Sequence, residues 1–157
     1  MANVMRWRYG DTRPVLAPVG GGTVVEIGDL VMLSSGSASP AASLPDTGTK
    51  AANQEAFHDV FLGVAMQSST EEDTAPIRVA TAGVFEFDCP SATCNVGDLF
   101  GADENAGGTE LLAQTATKVA ACNLAIGRCV KRLAAAGTKV LVEIESTVMR
   151  GGPQVMA

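Results

Sequence analysis

The sequence predicts a mainly β fold: a small barrel-like or β-tulip domain with one short helix and an extended N-terminal arm. Three observations carry that prediction. The chain is 46% hydrophobic but only 4% aromatic, so its core must come from Val, Leu, Ile and Ala, and the β-branched members favour strands. Its 17 glycines and 7 prolines interrupt the apolar runs at short intervals, as many turns between short strands require. A hydrophobic residue followed by Gly-Asp-Leu also occurs twice, at Ile27-Gly28-Asp29-Leu30 and Val96-Gly97-Asp98-Leu99. Gly tolerates positive φ and Asp accepts from a nearby backbone N–H, so Gly28, Asp29, Gly97 and Asp98 are expected to hold structural turns between flanking strands.

A chain of 157 residues fits one core, burying roughly 70% of its unfolded surface. The boundaries read as a docking arm at 1–14, a β domain at 15–147 and a mobile C-terminal tail at 148–157. Residues 1–14 are basic and aromatic, lack periodicity and end at Pro14, which marks an extended arm. TVVEIGDLVML, residues 23–33, gives a strand pair around the first turn, preceded by Gly20-Gly21-Gly22. The Ser/Ala/Gly/Pro-rich stretch 34–49 reads as a surface loop.

KAANQEAFHDVF predicts the helix, since Ala52, Ala56 and Val60, with Phe57 and Phe61, recur at i, i+4 behind Thr49 as N-cap. FLGVAM then reads as a buried strand and SSTEED as a solvated turn. IRVATAGVFEF is a longer strand, bent at Gly83, with Phe85 and Phe87 on one face and Val84, Glu86 and Asp88 on the other. GADENAGG, residues 101–108, reads as a polar turn, Leu124–Val130 as a strand, and TKVLVEIES as an alternating strand.

The order holds an internal echo. Gly28-Asp29 is followed 35 positions later by Leu62-Gly63-Val64, and Gly97-Asp98 is followed 30 positions later by Ile126-Gly127-Arg128. Arg78-Val79-Ala80 and Val140-Leu141-Val142 come next in each case. This suggests one strand-turn-strand device reused to close a small barrel or pseudo-symmetric sheet.

The formal net charge of -6 argues against general nucleic-acid affinity, which needs a positive surface. The arm runs against this balance: Arg6, Arg8 and Arg13 face one acid, Asp11, giving the first 13 residues +2 and the remainder -8. No stretch reaches the roughly 18 apolar residues of a membrane span, and the start lacks the apolar core of a secretory signal. Synthesis in a cytoplasm is expected.

Chemistry-bearing constellations are weak. Cys89, Cys94, Cys122 and Cys129 lack the short spacing of a zinc knuckle and His58 is remote from them, so buried thiols are expected, with a Cys89–Cys94 bridge as the competing arrangement. His58 stands beside Asp59, but adjacent helix residues do not face each other, so His58 reads as a polar helix-face residue. Glu71, Glu72 and Asp73, like Asp103 and Glu104, lack the spacing of a calcium loop. Gly20-Gly21-Gly22 lacks the Lys-Ser of a phosphate cradle. No catalytic residue, cofactor or metal is expected, and the protein is not read as an enzyme.

The arm offers more. The chain's only Trp and only Tyr, Trp7 and Tyr9, lie there among arginines, and these are the residue types that anchor interfaces. The succession of the IEIGDLV strand, the Ser/Ala-rich loop, the Ala-rich helix running into FLGVAM, then IRVATAGVFEF, VGDLFGAD, AIGRCVKR and KVLVEI resembles the capsid decoration, or cement, proteins of tailed bacteriophages over residues 23–145. The long Ser/Ala/Pro loop and the four cysteines depart from that pattern. The resemblance implies a β-barrel protein on the outer surface of the virion head, assembled in the host cytoplasm and commonly trimeric. It would stabilise the major capsid protein lattice through Arg6, Trp7, Arg8, Tyr9 and Arg13, with no nucleic-acid or membrane partner. A β-rich tail or baseplate component, or a cell-surface adhesion module, is the alternative.

Overall fold

The structure, a computed structural model, describes residues 3–154. In chain order these form β1 (Trp7–Tyr9), β2 (Val15–Ala17), β3 (Leu30–Ser34), β4 (Ser37–Pro40), α1 (Lys50–Val60), β5 (Phe61–Ala65) and β6 (Ile77–Ala80). Then come β7 (Ala82–Cys94), β8 (Leu99–Glu104), β9 (Leu111–Lys118), β10 (Gly127–Cys129), β11 (Leu133–Glu145) and α2 (Thr147–Arg150). The fold is mainly β, as the turn-rich aliphatic sequence predicts.

The barrel is built twice. Strands β2 to β6 make a sheet in the order β2-β6-β5-β3-β4, and a parallel bridge between Val19 and Ala38 joins its edges. Strands β7 to β11 make a sheet in the order β7-β11-β10-β8-β9, closed where β9 runs parallel to β7 at Asp88 and Thr115. Numbered one to five within each half, both follow 1-5-4-2-3, with the third strand closing on the first. A five-strand barrel leaves few free edges, which suits halves too small to bury a face alone.

The repeated Gly-Asp turns wire both halves alike. In the first, Asp29 N donates to Glu26 O at 3.1 Å and Asp29 Oδ2 accepts from Glu26 N at 2.9 Å. In the second, Asp98 N donates to Asn95 O at 3.1 Å and Asp98 Oδ2 accepts from Asn95 N at 2.8 Å. Gly28 and Gly97 sit at φ 95 and 93, a left-handed conformation costly for other residues. Gly28 N then bonds Ala65 O, and Gly97 N bonds Cys129 O, both at 2.9 Å. Beside them Val31 pairs with Gly63, and Phe100 pairs with Gly127. A methyl on Gly63 would strike the Ala80 carbonyl, and one on Gly127 the Glu143 carbonyl. The echo is therefore a structural repeat, with one register corrected: Ala80 corresponds to Glu143, so Val79 matches Val142 rather than Leu141.

Alternate residues of β3 feed two cores. Leu30 and Met32 join Phe57, Phe61, Phe85, Phe87, Val140, Val142 and Ile144, while Val31 joins Val19, Leu62, Ala65 and Val79 inside the first barrel. Each such buried side chain stabilises by roughly 1.5–3 kcal/mol. The larger cluster draws on both halves, so it unites them.

Several expected elements differ. The first strand pair has a strand on one side only, since residues 23–29 contribute just the Val25–Ser69 bridge. The 34–49 loop holds β4, because Ser35 at φ 50 and Gly36 at φ 81 make a tight hairpin turn. Residues 101–104 belong to β8, where Gly101, Ala102 and Glu104 pair with β9 while β10 pairs with Leu99 and Phe100 just ahead of them; the turn itself is Asn105–Gly108. The expected strand over Leu124–Val130 shortens to Gly127–Cys129 behind a 3-10 turn at Cys122–Leu124. The long strand breaks at Thr81, where the chain passes between sheets, and Gly83 follows at φ 109.

Helix α1 forms with Thr49 Oγ1 accepting from Ala52 N at 3.2 Å, yet its buried face is Asn53, Gln54, Phe57 and His58, with Ala52 exposed. The polar members are buried because the second barrel supplies partners: Gln54 Nε2 donates to Ala102 O at 2.8 Å, and His58 Nδ1 donates to Ala125 O at 2.7 Å. The tail expected to be mobile starts as α2, capped by Ser146 Oγ accepting from Met149 N and by Gly151 at φ 85, and Gly152 and Pro153 are buried. Residues 155–157 of that tail, like residues 1–2 of the arm, lie outside the described residues.

Candidate docking surface

The arm is packed into the fold, which corrects the expectation of a loosely held segment. Residues 3–6 cover the first Gly-Asp turn: Val4 N donates to Ile27 O at 3.0 Å, and Asn3 Oδ1 accepts from Ile27 N at 2.8 Å. A side chain on Gly28 would meet the Val4 carbonyl, so this glycine serves both the turn and the arm's seat. Glu86 N then donates to Arg6 O at 2.8 Å, and β1 adds to the edge of β7, with Trp7 opposite Phe85 and Tyr9 opposite Val84. Val84, on the face opposite Phe85 and Phe87, is buried.

Arg6 is not a docking residue in this geometry. It is 7% exposed and turned inward into the seam where β1 and β9 flank β7. Its Nε and Nη2 donate to Gln114 Oε1 at 3.1 and 2.9 Å, its Nη1 to Glu86 O at 3.3 Å, and its Nη2 to Asp88 Oδ2 at 3.4 Å. A buried guanidinium needs such partners. Gln114 extends the network by donating to Asp29 Oδ1 at 2.9 Å, tying arm, first turn and second barrel together.

The outward side of the arm is apolar. Trp7 and Tyr9, on the edge strand β1, are 40% and 53% exposed, and Met5 just ahead of it is 45% exposed. Trp7 is steadied by Nε1 donating to Gly10 O at 3.1 Å. Arg8 lies at the rim, its Nη2 at 3.0 Å from Glu86 Oε1. Arg13 is exposed at φ 40, its backbone N donating to Asp11 Oδ1 at 3.0 Å. The arm's charge is thus partly matched by Glu86 and Asp88 of its own body.

Beside the arm lies an open cleft of about 360 Å³, floored by Gly83 and Gly127. Three arginines, Arg13, Arg128 and Arg150, and three acids, Asp11, Glu143 and Glu145, line it. Arg150 Nη1 donates to Thr81 Oγ1 at 2.7 Å and to Thr81 O at 3.3 Å, and Arg128 Nη1 to Gly97 O at 3.0 Å, so both help hold backbone.

The remaining singled-out residues are dispersed. His58 is on the buried face of α1; Asp103 pairs with Lys50 at 2.7 Å; Glu104 accepts from Asn53 at 2.9 Å. Among the described residues no three His, Cys, Asp or Glu side chains are grouped to hold a metal ion. The two turn aspartates are shifted in opposite directions. Burial pushes the Asp29 carboxyl up, whereas the Asn95 backbone N–H and Lys118 hold Asp98 below the usual range.

Sequence reasoning missed Gln114, Glu86 and Asp88 as the arm's receptor. Glu86 and Asp88, two acids on one face of a strand in a chain with an arginine-rich arm, were the available signal; Gln114 had none.

No family model matches the chain, and no curated protein matches it. Among solved structures it is similar to the head fiber gp8.5 N base of bacteriophage phi29, at TM-score 0.47 and 16% identity, covering 84% of this chain and 94% of that one. A likeness of that degree carries no functional argument.

Proposed function

We propose that the chain is a non-enzymatic structural protein of a phage head, binding the outside of the assembled shell and stabilising the major capsid protein lattice. The observation that supports this is the exposed strip of Met5, Trp7 and Tyr9, the last two on a strand already ordered by its own barrel. The motif order over residues 23–145 supplies the phage context. Trp7 and Tyr9 fill pockets on the shell, with Arg8 and Arg13 meeting carboxylates at the rim. A preformed strand pays little ordering entropy on docking. Binding the assembled shell but not its free subunits shifts assembly by mass action, and a homo-oligomer, a trimer by the family pattern, multiplies each contact by avidity.

The test is gold labelling, with antibody to this chain, of particles purified from a lysate of the host that carries the gene. Label over heads is expected. Label confined to tails, baseplates or the cell surface refutes the reading. Trp7→Ala with Tyr9→Ala should cut head occupancy at least tenfold while leaving the melting temperature within a few degrees.

A further inference from the structure

Cys94 ends β7 and Cys129 ends β10, and their sulfurs stand 2.9 Å apart, with side chains only 3% and 1% exposed. Strand neighbourhood does not place them so, because β11 runs between β7 and β10 in the sheet. The second Gly-Asp turn does. Gly97 N donates to Cys129 O at 2.9 Å and Cys129 N to Asp98 O at 2.8 Å, which folds the end of β7 back onto β10. Both sulfurs also approach one carbonyl, Lys131 O, at 3.8 and 3.1 Å.

The expected alternative is excluded by the same strand. Cys89 and Cys94 lie five residues apart on β7, on the order of 15 Å along an extended chain, whereas a disulfide joins Cα atoms about 6 Å apart. Cys89 is engaged elsewhere, donating to Gly137 O at 3.5 Å.

We propose that Cys94 and Cys129 are a disulfide-forming site: they cross-link once the protein meets a low-molecular-weight disulfide such as oxidised glutathione, and the bond locks the second barrel. One cysteine, its proton released to water, attacks the small disulfide and expels one small thiol. The other attacks the mixed disulfide and expels the second. Two protein thiols and one small disulfide become one protein disulfide and two small thiols. The bonded separation is about 2.0 Å, so the sulfurs need to close by only about 0.9 Å from their 2.9 Å contact. Burial and the adjacent Cys94 push the Cys129 thiol up to about 12, so exchange at neutral pH is slow and waits on local opening. A reducing cytoplasm keeps the pair open. The chemistry does not depend on the phage-head reading.

The test uses the full chain, purified reduced, incubated with oxidised glutathione at a series of temperatures up to its melting point. It is then acid-quenched, denatured, alkylated with iodoacetamide and weighed. Two alkylated cysteines are expected, with Cys94 and Cys129 in one cross-linked peptide after digestion. The bond closes a loop of about 35 residues, so the melting temperature should rise by about 10 °C. Cys89→Ser with Cys122→Ser should still cross-link, and Cys94→Ser with Cys129→Ser should show no oxidant-dependent shift. Four alkylated cysteines at every temperature, glutathione adducts without a cross-link, or a bridge through Cys89 or Cys122 would overturn the proposal.

Discussion

Replacing Arg6 with alanine isolates what holds the arm. The substitution removes two bonds to Gln114 Oε1, at 2.9 and 3.1 Å, and one to Glu86 O at 3.3 Å, all at a position only 7% exposed. The bond to Asp88 is discounted, since that carboxylate is 43% exposed and keeps Lys139 as partner. Hydrogen bonds from a charged donor contribute about 1.5–3 kcal/mol, and stripping a buried acceptor adds about 1–3 kcal/mol, so about 4 kcal/mol is expected. For a chain of this size that lowers the melting temperature by roughly 10 °C. Arg8→Ala is the control: its exposed pair with Glu86 should change stability by under about 1 kcal/mol. Thermal melts at pH 7 read the loss, and hydrogen exchange locates it, because the Glu86 amide that bonds Arg6 O should lose protection first. An Arg6→Ala protein melting within 2 °C of the parent, with Glu86 still protected, would refute the pinned-arm account. Deletion of residues 2–13, by the same reasoning, should destabilise the domain, since it removes Arg6 and the β1 pairing with β7.

The two repeat-equivalent aspartates should titrate on opposite sides of the ordinary value of 3.8. Asp29, raised by burial, binds its proton more readily folded than unfolded, so its contribution to stability falls as pH rises from 3.8 through its folded value; Asp98, lowered, contributes above 3.8 and loses that contribution as pH falls below it. Carboxyl carbon NMR checks the order, and Asp98 titrating above Asp29 contradicts it. Gly63→Ala and Gly127→Ala should each cost more than about 3 kcal/mol, because the new methyl meets a neighbouring strand's carbonyl; soluble yield of either variant at parental level would show that the strands can part. Loss of head occupancy in the Trp7/Tyr9 variant, with the fold kept, tests the docking face itself.

Much of the fold was legible in the sequence. The aliphatic, glycine-rich composition specified β structure, Gly28-Asp29 and Gly97-Asp98 specified turns, and Thr49 marked the start of α1. These are local rules that need no tertiary partner. What was not legible depended on one. Asn53, Gln54 and His58 are buried only because acceptors on the second barrel meet them, so helical periodicity pointed to the alanines instead. Gly101 sits in a strand because its pairing with Thr117 of β9 overrides its weak preference, and Asp103 follows at the register shift between Ala102 and Glu104. Trp7 and Tyr9 were legible as interface-type aromatics, but Arg6 was indistinguishable from Arg8, two residues on, because what separates them is tertiary: Gln114 Oε1 meets the Arg6 guanidinium in the buried seam, while Arg8 stays at the rim beside Glu86.

The shared 1-5-4-2-3 wiring has a consequence for renaturation. β5 and β10 each bring a glycine to the same seat beside a Gly-Asp turn, so each is a geometrically plausible guest for the other half's socket. When many copies refold together, exchanged halves compete with correct closure, as in other tandem architectures. Entangled dimers should therefore increase with protein concentration during refolding, and size-exclusion profiles independent of concentration would show that the two sockets discriminate from the outset.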